Sequence, residues 1–132
     1  MRKYIAEFIG TFLLTFIACG VASFTGGYQG FLGVVGIALI FGLTVTAMAY
    51  SIGNISGCHI NPAVSLGIFI SGKMSLIDFC GYIVAQLLGG IAAGFAMFGL
   101  SKTFNQEIIE QYGSYGYDLL SFGTNGYGKA SP

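Results

Sequence analysis

The sequence predicts an all-α membrane protein with three transmembrane helices and one re-entrant half-helix. Three observations predict it. Charged residues make up 8% of the 132 residues and hydrophobic ones 55%, which leaves too little polar surface to cover a soluble core. From Phe8 to Gly72 there is no Asp, Glu, Lys or Arg, and crossing a ~30 Å hydrocarbon core takes about 20 apolar residues, so this stretch has room for two spans. Within it, an apolar run that begins at Asn61-Pro62 is too short to cross.

The first span is expected over about 4–24, ending at the turn Thr25-Gly26-Gly27-Tyr28-Gln29-Gly30, where glycines supply the backbone freedom for a reversal. The second is expected over about 31–52. A polar, glycine-rich segment, Gly53-Asn54-Ile55-Ser56-Gly57-Cys58-His59-Ile60, follows it and is unsuited to a lipid-facing helix. From Pro62 to Ile70 a helix is about 13 Å long at ~1.5 Å per residue, half of a membrane. Asn61 suits its N-cap and Pro62 its first turn, where a missing N–H costs nothing. The segment 53–71 therefore reads as a loop that enters the membrane and turns into a half-helix. Irregular backbone at that depth requires burial in protein or a water-lined wall.

The third span is expected over about 79–100. It carries Gly81, Ala85, Gly89, Gly90, Ala93 and Gly94, with Gly90 and Gly94 at a small-xxx-small spacing suited to close helix packing. Residues 105–132 are polar and rich in Gly and Tyr, and read as a loop outside the membrane that stops before a fourth span.

The formal net charge is zero and the basic residues are scattered, so neither a nucleic-acid footprint nor a polybasic lipid patch is present. Arg2, Lys3 and Lys73 fall on one side of the predicted spans and Lys102 and Lys129 on the other. The positive-inside rule then places the N-terminus in the cytoplasm and the C-terminal loop outside. Cys19, Cys58 and Cys80 lie in apolar segments without paired or metal-type spacing and read as free thiols. With Glu7 and His59 they form neither a metal cluster nor a nucleophile–base pair, so no enzyme, metal or cofactor is expected. The N-terminal run with Phe16-Ile17-Ala18-Cys19 also resembles a lipoprotein signal, but Glu7 interrupts it and it continues to Phe24.

Ser56-Gly57-Cys58-His59-Ile60-Asn61-Pro62-Ala63-Val64 resembles the first Asn-Pro-Ala loop of the aquaporin, or major intrinsic protein, family. The resemblance extends through Ala6-Glu7-Phe8-Ile9-Gly10-Thr11-Phe12, Phe41-Gly42-Leu43-Thr44-Val45, and Gly81-Tyr82 with Ala85-Gln86 and Gly89-Gly90. It reaches Asn125-Gly126-Tyr127-Gly128, which is similar to the bacterial water-channel branch. It implies the first inverted repeat, here residues 1–104, of a right-handed helix bundle that passes water or a small neutral solute such as glycerol across the inner or plasma membrane.

By resemblance, Asn61, Pro62 and Ala63 form the pore motif, and the carbonyls around Gly57, Cys58, His59 and Ile60 line the cytoplasmic half of the pore. Phe41 narrows the outer constriction, Glu7 anchors the re-entrant loop, and Gly81, Gln86, Gly90 and Gly94 pack helices. Many relatives carry Gly or Ala where Cys58 stands. Taken alone, without the resemblance, His59 reads rather as a satisfied buried histidine, and Phe41 as lipid- or core-facing filler. The family's second repeat, with its own Asn-Pro-Ala motif and constriction arginine, is expected either from the rest of a longer chain of which this is a fragment or from a complementary half, in an assembly that is usually tetrameric. An inverted homodimer, or a non-conducting regulatory subunit, are the other readings.

Overall fold

A computed structural model describes residues 1–25 and 32–101, and within them every regular element is helical. Helix α1, Arg2–Phe24, is interrupted by one π turn at Thr15–Cys19. Helix α2 is Gly33–Ser56, α3 is Pro62–Ile70 and α4 is Leu76–Ser101. At ~1.5 Å per residue α1, α2 and α4 are about 34 to 39 Å long, enough to cross a ~30 Å core with some tilt. All three are apolar enough to do so. The expected turn after Thr25 and the C-terminal loop lie outside the described residues.

Helix α1 is the centre of the fold, packed on α4 along one side and on α2 along the other. Its pairing with α4 is parallel: Tyr4 meets Asp78, Glu7 meets Gln86, and Phe8 and Phe12 meet Gly89. At one end Lys3 forms an ion pair with Asp78 at 2.7 Å and Tyr4 donates its hydroxyl hydrogen to the same carboxylate at 2.8 Å. Ser75 Oγ accepts the Asp78 N–H at 3.1 Å and so begins α4 with a side-chain cap.

Close approach of α1 and α4 requires small residues. A Cβ on Gly89 would lie 2.5 Å from the backbone oxygen of Phe8 and 3.1 Å from Phe12 N, while one on Gly81 would strike the Tyr4 ring. With the buried Ala85 and Ala93 these glycines make one face at four-residue spacing. Gly90 and Gly94, expected to pack closely against another helix, lie on a different face of α4. A Cβ on either meets nothing within 4 Å among the described residues, because both are turned away from α1.

Helix α2 continues through Ser56, four residues beyond the expected end at 52. Gly57, at φ +85°, stops it in the left-handed conformation, with its N–H bonded to Gly53 O at 2.9 Å. The irregular loop is thereby reduced to 57–61. Helix α3 then runs back toward the end where α4 begins, packs on α4, and stacks Phe69 on Phe79 with ring centroids 5.0 Å apart.

Candidate functional site

Three N–H groups of the 57–61 loop point into the protein. Glu7, 0% exposed, supplies both of its oxygens to the loop and its neighbours. Oε1 accepts from Ser56 Oγ at 2.6 Å and from His59 N at 2.9 Å. Oε2 accepts from Ile60 N at 2.6 Å and Gln86 Nε2 at 2.8 Å. Cys58 N donates to Ser56 Oγ at 3.1 Å. Four donors on one carboxyl group, which has no cationic partner among the described residues, explain how it is tolerated in an apolar interior, since each such bond replaces a lost contact with water.

The peptide bonds are trans, so each carbonyl points opposite to the N–H of the next residue. With the N–H groups of Cys58, His59 and Ile60 aimed inward, the carbonyls of Gly57, Cys58 and His59 face away from Glu7. The backbone is strained to do this. Gly57 has φ +85°, Cys58 +52° and Ile60 +40°, and for a β-branched residue the last is a rare conformation that costs on the order of 1–3 kcal/mol. Ile60 is held by its bond to Glu7 and by packing on Gly10, where a Cβ would lie 2.6 Å from Ile60 Cγ2.

Asn61, in extended conformation, accepts the Ala63 N–H at 2.8 Å with Oδ1 and so caps α3, with Pro62 in the first turn. Its side-chain NH₂ is left at an exposed position, beside the partial positive charge that a helix carries at its N-terminus. Next to Pro62 and Ala63 an apolar groove of about 490 Å³ opens between α3 and α4, lined also by Leu66, Phe79 and Cys80.

The remaining residues singled out in the sequence are less concentrated. Phe41 is 37% exposed on α2, about 22 Å along the axis from Ser56 at ~1.5 Å per residue, and so nearer the other membrane face. Gln86, expected to pack helices, is 1% exposed and does more than that. Its amide joins Glu7 to Ser65 Oγ, the latter at 3.0 Å. Ser56, Ser65 and Tyr82 were not predicted as site residues. Tyr82 donates its hydroxyl hydrogen to Ser56 O at 2.7 Å and sets its ring 5.0 Å from His59. The available signal was polarity within apolar helices, where an uncompensated polar group is costly.

Residues 1–123 match the major intrinsic protein family. Aquaporin Z of Rhodopseudomonas palustris is 46% identical over 133 residues, covering 99% of this chain and 51% of that protein. Aquaporin Z of Bradyrhizobium diazoefficiens is 42% identical, covering 100% of this chain and 52% of its own length. The chain thus spans about half the length of these relatives. Among solved structures, the aquaglyceroporin from Plasmodium falciparum superimposes with a TM-score of 0.67 at 32% identity, over 78% of this chain and 43% of that one.

Proposed function

The chain belongs to the major intrinsic protein family, and from that premise we propose that its 57–61 loop and Asn61 form one wall of a passive water channel. The observation that carries the proposal is the Glu7 hub, which takes up the N–H groups of His59 and Ile60 and holds Ser56 Oγ, the acceptor of the Cys58 N–H, so that the loop's carbonyls point the other way. Water entering a narrow pore loses hydrogen bonds to bulk water. The carbonyls of Gly57, Cys58 and His59 accept from it, and the Asn61 NH₂ donates to its oxygen. The dipole of α3 disfavours cations at the same place.

Glu7 anchors the loop and does not relay protons, because its four acceptor bonds leave no oxygen directed at a permeant. Phe41 narrows the opposite half of the path. Small neutral solutes such as glycerol are the other candidate permeants, and the choice between them rests with the full set of constriction residues. A complementary half completes the pore, in a homo-oligomeric assembly of the kind usual for the family. The exposed Gly94, Val35 and Phe95, together with the groove beside Pro62, offer faces for such neighbours. The chain is a multi-pass membrane protein. Arg2, Lys3 and Lys73 support a cytoplasmic N-terminus, since the Lys3–Asp78 pair brings the start of α1 to the start of α4, just after Lys73, and the likeness to bacterial relatives supports an inner-membrane setting.

Cys58 tests the water path directly. With Cys19 and Cys80 replaced by Ser, a membrane-impermeant thiol reagent is expected to modify Cys58 and to remove most of the osmotic water flux of the assembled channel. Unchanged flux after modification confirmed by mass spectrometry contradicts the assignment of this loop to the pore wall.

A further inference from the structure

The proposed path uses the loop's backbone and Asn61, and leaves the ring of His59 without a part. Its surroundings determine where its proton sits. Glu7 Oε2 takes Gln86 Nε2 at 2.8 Å, so the nitrogen of that amide faces the carboxylate, where an oxygen would be repelled. The second hydrogen on Nε2 is directed to Ser65 Oγ at 3.0 Å. Ser65 is 0% exposed, and its other side-chain partner is His59 Nδ1 at 3.1 Å.

A hydroxyl has one hydrogen to donate. Thr44, Thr46 and Ser51 donate theirs to the carbonyl four residues back. Ser65 makes no such bond among the described residues, and the Asn61 carbonyl is engaged by Ser65 N at 3.1 Å. With Gln86 donating to Ser65 Oγ, the acceptor left for the Ser65 hydrogen is His59 Nδ1. A ring nitrogen that accepts is unprotonated, so the neutral ring carries its hydrogen on Nε2.

We infer that Ser65 is a positioning residue that holds His59 as its Nε2–H tautomer, at the end of a hydrogen-bond chain in which the Gln86 amide donates to Glu7 and to Ser65 Oγ, and Ser65 donates to the ring. The Nε2 edge lies by the start of the loop, since a Cβ on Gly57 would be 3.3 Å from it. A fixed N–H donor thus stands by Gly57 at the start of the loop, suited to a permeant whose oxygen accepts a hydrogen bond. That consequence rests on the pore reading, whereas the tautomer does not.

His59 is the chain's one histidine, so nitrogen NMR of the protein in bilayers, labelled with ¹⁵N-histidine, reads this ring alone. At neutral pH the expected spectrum has a protonated ε nitrogen and an unprotonated, hydrogen-bonded δ nitrogen. In Ser65→Ala the δ-nitrogen resonance is expected to shift to that of a ring nitrogen without a donor, and Ser65→Thr, which keeps the hydroxyl, to restore it. A wild-type ring with a proton on Nδ1 overturns the inference, as does a δ-nitrogen signal that does not move in a folded Ser65→Ala. Where Ser65→Ala fails to fold, the wild-type spectrum decides. Flux plays no part in this measurement, so failure of the pore reading is detected separately.

Discussion

Glu7→Gln is expected to release the 57–61 loop while leaving the three long helices in place. Ser56 Oγ, His59 N, Ile60 N and Gln86 Nε2 all donate to this carboxylate. A glutamine presents one oxygen and one NH₂, so donors that met an oxygen meet another donor. Each buried donor left unpaired costs about 1–3 kcal/mol, and two of them place the loss at about 2–6 kcal/mol. The positive φ angles of Cys58 and Ile60 then lose the bonds that hold them. Hydrogen exchange at the His59 and Ile60 amides is expected to accelerate by at least about thirtyfold, while helix content by circular dichroism stays near wild type. Retained protection of these two amides would show that other contacts hold the loop.

The second large effect is expected from Gly89→Ala. The new Cβ would lie 2.5 Å from Phe8 O and 3.1 Å from Phe12 N, and backbone atoms inside a helix have little freedom to yield. The two helices must part, at a cost of about 1–3 kcal/mol or somewhat more. Gln86, one turn away, is drawn from Glu7 by the same movement. Gly90→Ala is the control, since its Cβ meets nothing within 4 Å among the described residues, and its effect is expected within about 0.5 kcal/mol. Denaturation midpoints of the two variants in detergent decide the matter. Equal midpoints contradict the assignment of the α1–α4 contact to Gly89.

These two sites show how far local signals carry. The half-helix was legible because its causes are adjacent in sequence: Asn61 caps it two residues before Ala63, and Pro62 occupies its first turn. The three long apolar helices were legible from composition for a similar reason, since the bilayer imposes their length. The end of α2 was not, because Ser56 is fixed by Glu7, 49 residues away in the sequence. Adjacent glycines at 89 and 90 are indistinguishable by composition. Which of them meets α1 depends on the rotation of α4, and the Glu7–Gln86 bond is part of what sets that rotation. Glu7 announced itself as a costly carboxylate within an apolar helix, whereas its partners Ser56 and Gln86 emerge only when three helices are assembled.

Osmotic shrinkage of liposomes measured by stopped flow, with the chain reconstituted together with a complementary second repeat, tests the central claim most directly through Asn61→Asp. Aspartate keeps the oxygen that caps α3 on Ala63 N, so the fold is retained, but it removes the NH₂ donors and adds a negative charge at the proposed wall. The account predicts permeability well above that of empty liposomes, falling at least tenfold toward them in Asn61→Asp at equal insertion. Equal permeability of the two proteins would contradict it and remove Asn61 from the water path.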